Sequence, residues 1–196
     1  AIPGVIDGMR YTRQGQACTA GSRVYIQEKI YEKVLEGVVN KLKNLKMGNA
    51  LDENSDIGAI ISKEQLNRTL HYMNIAKENS STKVLHGGNQ KKEGDYKNGF
   101  FYEPTLLSGV PVESPVCQEE IFGPVACAIP FKSFDEVLKS ANNTPFGLSA
   151  VLWTQNLSRA LQFVEEIEAG FVQVNQCVAP RANVSYGGLK MSGLGK

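Results

Sequence analysis

Histidine is scarce in this chain, with two in 196 residues, His71 and His86. Its four cysteines, at 18, 117, 127 and 177, are scattered and never stand at C-x-x-C spacing. A zinc site therefore has poor prospects, no metal is expected, and a disulfide framework is unexpected in a chain long enough for a real core. Charge of one sign is also lacking. A formal net charge of +1 gives no electrostatic basis for a nucleic-acid or anionic-membrane partner. The nearest thing to a basic run, "NQKKEGDYK" at 89–97, contains acids and reads as a solvated loop. No hydrophobic run approaches a membrane-spanning length, and "AIPGVIDGMR" carries none of the three regions of a signal peptide. A reducing, cytoplasmic setting with free thiols is the expectation. Familiar fingerprints are missing as well: no G-x-G-x-x-G opens a helix, "GGLKMSGLGK" fails the phosphate-loop spacing, and no G-x-S-x-G elbow occurs.

What is present is an ordinary globular composition, 42% hydrophobic and 21% charged, enough for one domain with a substantial core. Short β-branched runs alternate with amphipathic stretches. "RVYIQ" (23–27) predicts a strand, and 29–45 a helix whose apolar face is Ile30, Val34, Val38 and Leu42. "IGAIIS" predicts a short extended piece, after which Ser62 caps a helix. "KVLHGG" reads as a strand stopped by glycines, and "GFFYEPTLLSG" as extended, its proline marking an edge or a connection. "VACAIPF" (125–131) is a further strand; Ser133 caps the helix after it, and "LSAVLWT" (148–154) is extended. Asn156 caps a helix closing on Gly170, and "FVQVN" (171–175) reads as the last strand, followed by a glycine-rich end without secondary structure. Strand and helix alternating at this spacing imply an α/β fold around a largely parallel sheet. There is no internal repeat. The N-terminus reads as a helix already under way, and 12–23 as the opening of another.

Three stretches carry chemistry. In "TRQGQACTAGSR" (12–23), Cys18 sits among small residues. Bare surroundings give a thiolate room for an electrophile and let backbone N–H groups approach an oxyanion; a small cysteine packed like alanine is the competing reading. In "QEEIFGPV" (118–125), Glu119 and Glu120 precede Phe122 and a Gly-Pro turn. A carboxylate there can accept two ribose hydroxyls, or the pair can be plain surface acids with Phe122 in the core. The loop "VNQCVAPRANVSYGG" (174–188) follows a strand and gathers Cys177, Arg181 and Tyr186; it is either a ligand loop or a connection. Arg181 reads as a brace for that loop. His71 and His86 read as incidental.

Taken in order, these pieces resemble the aldehyde dehydrogenase superfamily. "GQACTAGSR" is similar to its cysteine motif and "EEIFGPV" to its cofactor-ribose motif, while "NTPFGLSA", "FVQVN" and "YGGLKMSGLGK" match further segments. The resemblance implies a catalytic-domain fold of that type and NAD(P)-dependent oxidation of an aldehyde to a carboxylic acid. It implies Cys18 as the nucleophile, passing through a thiohemiacetal and a thioester. It places Glu120 on the nicotinamide ribose, Phe122 against the nicotinamide, and Tyr186 in the substrate channel; the 176–185 loop, with Cys177, would anchor substrate. A homodimer or homotetramer is the implied assembly. A catalytically silent relative with the same fold is the other possibility, against which intact Cys18 and Glu120 both speak.

The departures are informative. The Leu-Glu-Leu-Gly-Gly motif of the family's general base does not occur in the chain. Residues 1–196 therefore read as the cysteine-bearing catalytic domain alone, without the cofactor-binding domain and the oligomerisation segment, and as inactive by themselves. Ala59 replaces a frequent proline after Gly58, and Leu189 a frequent aromatic. Similarity extends to betaine-aldehyde and semialdehyde branches, with no motif choosing between them.

Overall fold

Three residues placed one position before an apolar periodic run do the work expected of a helix cap. The Ser62 hydroxyl accepts from the Gln65 N–H at 3.2 Å. Ser133 forms a reciprocal box in which its hydroxyl accepts from the Glu136 N–H while the Glu136 carboxylate accepts from the Ser133 N–H. Asn156 accepts from the Arg159 N–H at 3.0 Å. Each satisfies an amide that the first helical turn leaves without a partner.

The computed structural model describes residues 1–177 and 182–195. In chain order the elements are α1 (Ile2–Gly8), β1 (Arg23–Gln27), α2 (Tyr31–Lys43), α3 (Lys63–Glu78), β2 (Lys83–His86), β3 (Gln90–Lys91), β4 (Phe101–Tyr102) and β5 (Thr105–Ser108). There follow α4 (Pro115–Gln118), β6 (Val125–Phe131), α5 (Phe134–Asn142), β7 (Phe146–Gly147), β8 (Ser149–Leu152), α6 (Leu157–Glu166), β9 (Phe171–Val174) and β10 (Leu189–Lys190). The main sheet has the order β1-β6-β5-β2. β6 runs parallel to both β1 and β5, and β2 closes one edge antiparallel. β8 and β9 form a separate parallel pair. The α/β reading with mostly parallel pairing stands.

Alternation along two neighbouring strands builds the core, because successive side chains leave a strand on opposite faces. Leu107, Val125, Cys127 and Ile129 pack with Leu66, Tyr72, Met73 and Ala76 of α3. Leu106, Ala126 and Ala128 face the other way, onto Leu35, Val38 and Leu42 of α2 and Ile6 of α1. Each large aliphatic side chain so buried contributes roughly 1.5–3 kcal/mol. A smaller cluster joins Leu138 of α5 and Phe163 of α6 to β8 and β9.

Several local expectations fail for identifiable reasons. The buried face of α2 is Leu35, Val38 and Leu42, whereas Ile30 is 49% exposed and precedes the helix. Steps of four drift by about 40° each around a helix, so a 30-34-38-42 stripe winds off the face. No helix opens at 12–23. A single 3₁₀ turn at Tyr11–Arg13 ends at Gln14 and Gly15, both at positive φ (55° and 65°), which breaks helical propagation. "IGAIIS" contributes only an isolated bridge between Ile57 and Met47. Of the two readings of Pro104, connection holds and edge does not: it lies between β4 and β5, and β5 is interior to the sheet. α6 ends at Glu166, with Ile167 as its extended cap. Gly170 instead lets another chain segment in, since a Cβ there would stand 2.0 Å from the Gly187 carbonyl oxygen. β9 is not the last strand: β10 pairs antiparallel with β7 inside the glycine-rich end.

Candidate active site

Cys18 lies in the turn between the 3₁₀ segment and β1, and it is exposed. Backbone bonds define that turn: Gly15 N–H to Arg10 O, Ala20 N–H to Ala17 O and Gly21 N–H to Gly8 O, each 2.9 Å. Buried Thr19 pins one side, and on the other the Gln16 Oε1 accepts from the Ile61 N–H at 3.1 Å. Among the described residues the Cys18 amide donates to no internal acceptor, so it is free for an incoming oxygen. Among the described residues the sulfur has one hydrogen-bond partner, the Tyr186 hydroxyl, at 3.5 Å.

The second stretch meets the first. Met9, Ala17 and Ala20 on one side and Glu120, Phe122 and Gly123 on the other line a cleft of about 40 Å³. The two backbones touch where Gly15 faces the Gly123 carbonyl. Glu120 is exposed, and its carboxylate takes no partner among the described residues, while its main chain is fixed. Phe122 has φ of 55°, an uncommon conformation for a bulky residue and one that persists only where surroundings enforce it.

Those surroundings are one stripe of α3. Gln65 Nε2 donates to the carbonyls of Ile121 and Phe122, at 2.9 and 2.8 Å. Arg68 Nε donates to the Glu120 carbonyl at 3.0 Å. The Tyr72 hydroxyl donates to Glu119 Oε2 at 2.6 Å. Gln65, Arg68 and Tyr72 step by three and four, hence share a face. The sequence reading passed over all three; the available signal was a polar stripe opposite the exposed face of a long helix.

The Cys177 thiol donates to the Gly4 carbonyl of α1 at 3.4 Å, and burial together with nearby Asp7 pushes it up. Arg181 lies outside the described residues. Tyr186 stacks edge-to-face on Phe171 of β9, with centroids 5.3 Å apart; burial and the adjacent Cys18 push its phenol up to about 12. Cys117 and Cys127 are buried, and its hydrogen bond with Cys117 and its burial push the Cys127 thiol up. His71 is exposed with its ring against Tyr72, and burial pushes the His86 imidazole down. Ala59 borders an open depression of about 430 Å³ behind the Cys18 turn, with Arg13, Gln16 and Asp56. Among the described residues no group of three or more His, Cys, Asp or Glu could hold a metal, and no helix is long and apolar enough to cross a membrane.

Comparison with known proteins places this arrangement. A model described as "Aldehyde dehydrogenase family" matches residues 1–196. The chain is 39% identical over 196 residues to the putative aldehyde dehydrogenase DhaS of Bacillus subtilis, covering all of this chain and 38% of that protein. It superposes on betaine aldehyde dehydrogenase from Staphylococcus aureus in complex with NAD⁺ with a TM-score of 0.94 at 30% identity, over 98% of this chain and 38% of that one. An aldehyde dehydrogenase from Bacillus cereus, also an NAD⁺ complex, gives a TM-score of 0.92 at 36% identity, again over 98% of this chain and 38% of that one. The chain thus spans somewhat over a third of the length of the relatives it matches.

Proposed function

The chain belongs to the aldehyde dehydrogenase family, and from that membership we propose that it is the cysteine-bearing part of an enzyme oxidising an aldehyde to a carboxylic acid with NAD or NADP. The observation that carries the reading is the joining of two distant motifs at one cleft, where Ala17 and Ala20, on either side of exposed Cys18 in the chain, meet Glu120 and Phe122. NAD bound in the similar solved structures favours that acceptor.

The residues present fit one edge of such a cofactor. The unpartnered Glu120 carboxylate has the acceptors that two vicinal ribose hydroxyls require, and the Phe122 side chain borders the same cleft. When bound, the nicotinamide supplies the hydride acceptor. Cys18, as thiolate, adds to the aldehyde carbon and forms a thiohemiacetal; the charge moves to the carbonyl oxygen, beside the Cys18 N–H. Loss of hydride leaves Cys18 acylated as a thioester, and water releases the acid and returns the thiol. Tyr186 and Cys177 border the substrate's path. The general base and the rest of the cofactor site come from residues beyond these 196, in a cytoplasmic homodimer or homotetramer, so the chain alone does not turn over aldehyde.

The test is NAD(P)-dependent oxidation across an aldehyde panel by the longer polypeptide containing this sequence. Cys18→Ala should lower turnover at least about a thousandfold, the scale of losing a covalent nucleophile. Retained turnover in that variant, or robust oxidation by the 196-residue chain alone, would overturn the reading.

A further inference from the structure

The aromatic ring beside Cys18 carries a hydroxyl, and that hydroxyl is the sulfur's only polar side-chain neighbour among the described residues, 3.5 Å away. Its position is set by the core rather than by its own loop. The Tyr186 ring rests edge-on against Phe171, which is 7% exposed and anchored in β9. The next residue, Gly187, is buried with its carbonyl inserted against Gly170. A side chain held at both ends brings its oxygen to one place, and here that place is the sulfur.

The direction of the contact follows from chemistry. Between a thiol and a phenol either group can donate, but a thiolate has no proton, so the O–H must then point at sulfur. Charge-assisted hydrogen bonds are stronger than neutral ones, and a donor to the charged form favours that form. We propose that Tyr186 is a positioning residue for the nucleophile: its hydroxyl donates to the Cys18 thiolate, favouring the anion and fixing the direction of its attack. The proposal rests on the reading of Cys18 as nucleophile, and a phenylalanine, though equally aromatic, would not serve. The phenol stays protonated throughout, because burial and the adjacent Cys18 push it up to about 12. Among the described residues, Glu120 lies on the loop that meets the cysteine turn; Asp7 and Arg10, with the N-terminal ammonium, act on Cys177 near α1; Phe171, on β9, is uncharged. None of these changes on removing one hydroxyl.

The experiment compares the pH dependence of iodoacetamide alkylation at Cys18, resolved by peptide mass spectrometry, in the 196-residue chain and its Tyr186→Phe variant. The thiolate displaces iodide, so the midpoint reports its formation. The variant should shift the midpoint upward by at least about 0.5 pH unit, which lowers the rate near neutral pH about threefold, with a high-pH plateau equal to or above the original. An unmoved or lowered midpoint overturns the proposal. Should Tyr186→Phe fail to fold, Cys18→Ala gives the reciprocal measurement: site-resolved NMR titration of Tyr186 should fall from about 12, and no fall overturns the proposal. The two readings separate cleanly. A shifted midpoint with turnover retained in Cys18→Ala keeps the contact and removes the nucleophile; an unshifted midpoint with turnover abolished removes only the tyrosine's role.

Discussion

Gly15 and Gly123 pack main chain against main chain, a Cβ on Gly15 falling 2.1 Å from the Gly123 carbonyl oxygen, with Gly15 at φ +65°. One hundred and eight residues of sequence separate them, yet this contact joins the cysteine turn to the Phe122 loop. Gly15→Ala adds both a strained backbone and a clash with an unyielding group. It should cost at least about 2 kcal/mol, read as a lower midpoint in urea unfolding with an unchanged slope.

Gln65 holds two carbonyls with one amide group. Gln65→Leu leaves the Ile121 and Phe122 oxygens without donors, at a cost of about 1–3 kcal/mol. Hydrogen exchange should rise over 119–123 while the α3 amides stay protected. Uniform change across the chain would count against a local hold.

Tyr11 is 1% exposed and its hydroxyl donates to the Thr105 carbonyl at 2.9 Å, tying the segment before Cys18 to the start of β5. Tyr11→Phe preserves the packing and deletes the bond. The expected loss is about 1 kcal/mol, measurable as a lower thermal midpoint.

The elements legible in the sequence were those whose signals are local. Ser62, Ser133 and Asn156 cap helices because a cap needs only its own first turn. The cofactor-loop and cysteine motifs were legible too, as resemblance, and the cleft they share makes them neighbours. What escaped were relations across space. Gln65, Arg68 and Tyr72 drew no reading, and nothing local says that their partners are three carbonyls and a carboxylate some fifty residues on. Gly170 looked like a helix stop because a glycine chosen for close approach cannot be told locally from one chosen for its φ. Ile30 was misjudged because a four-residue step approximates, but does not equal, the helical repeat.

Lys91 and Glu103 form an ion pair at 2.8 Å, and Asn89 donates to the same carboxylate. Burial alone would push Glu103 up, but the bonds from Lys91 and Asn89 hold it below the usual carboxylate range. A carboxylate depressed in the folded state contributes stability above its unfolded pKa and loses it as pH falls through the folded one. Glu103→Gln should therefore lose less stability than the parent between about pH 6 and about pH 3. Denaturation midpoints at both ends of that window provide the measurement, and equal acid slopes would contradict the assignment.

The α3 stripe has a mechanical side. Its three side chains grip residues 119–122 in succession, so this loop shares the stiffness of a sixteen-residue helix. Phe122 cannot slide alone: moving it means breaking the Gln65 bonds or turning α3 as a lever. Any force that rotates α3 about its axis would carry Glu120 and Phe122 past Cys18 together, as teeth on one gear.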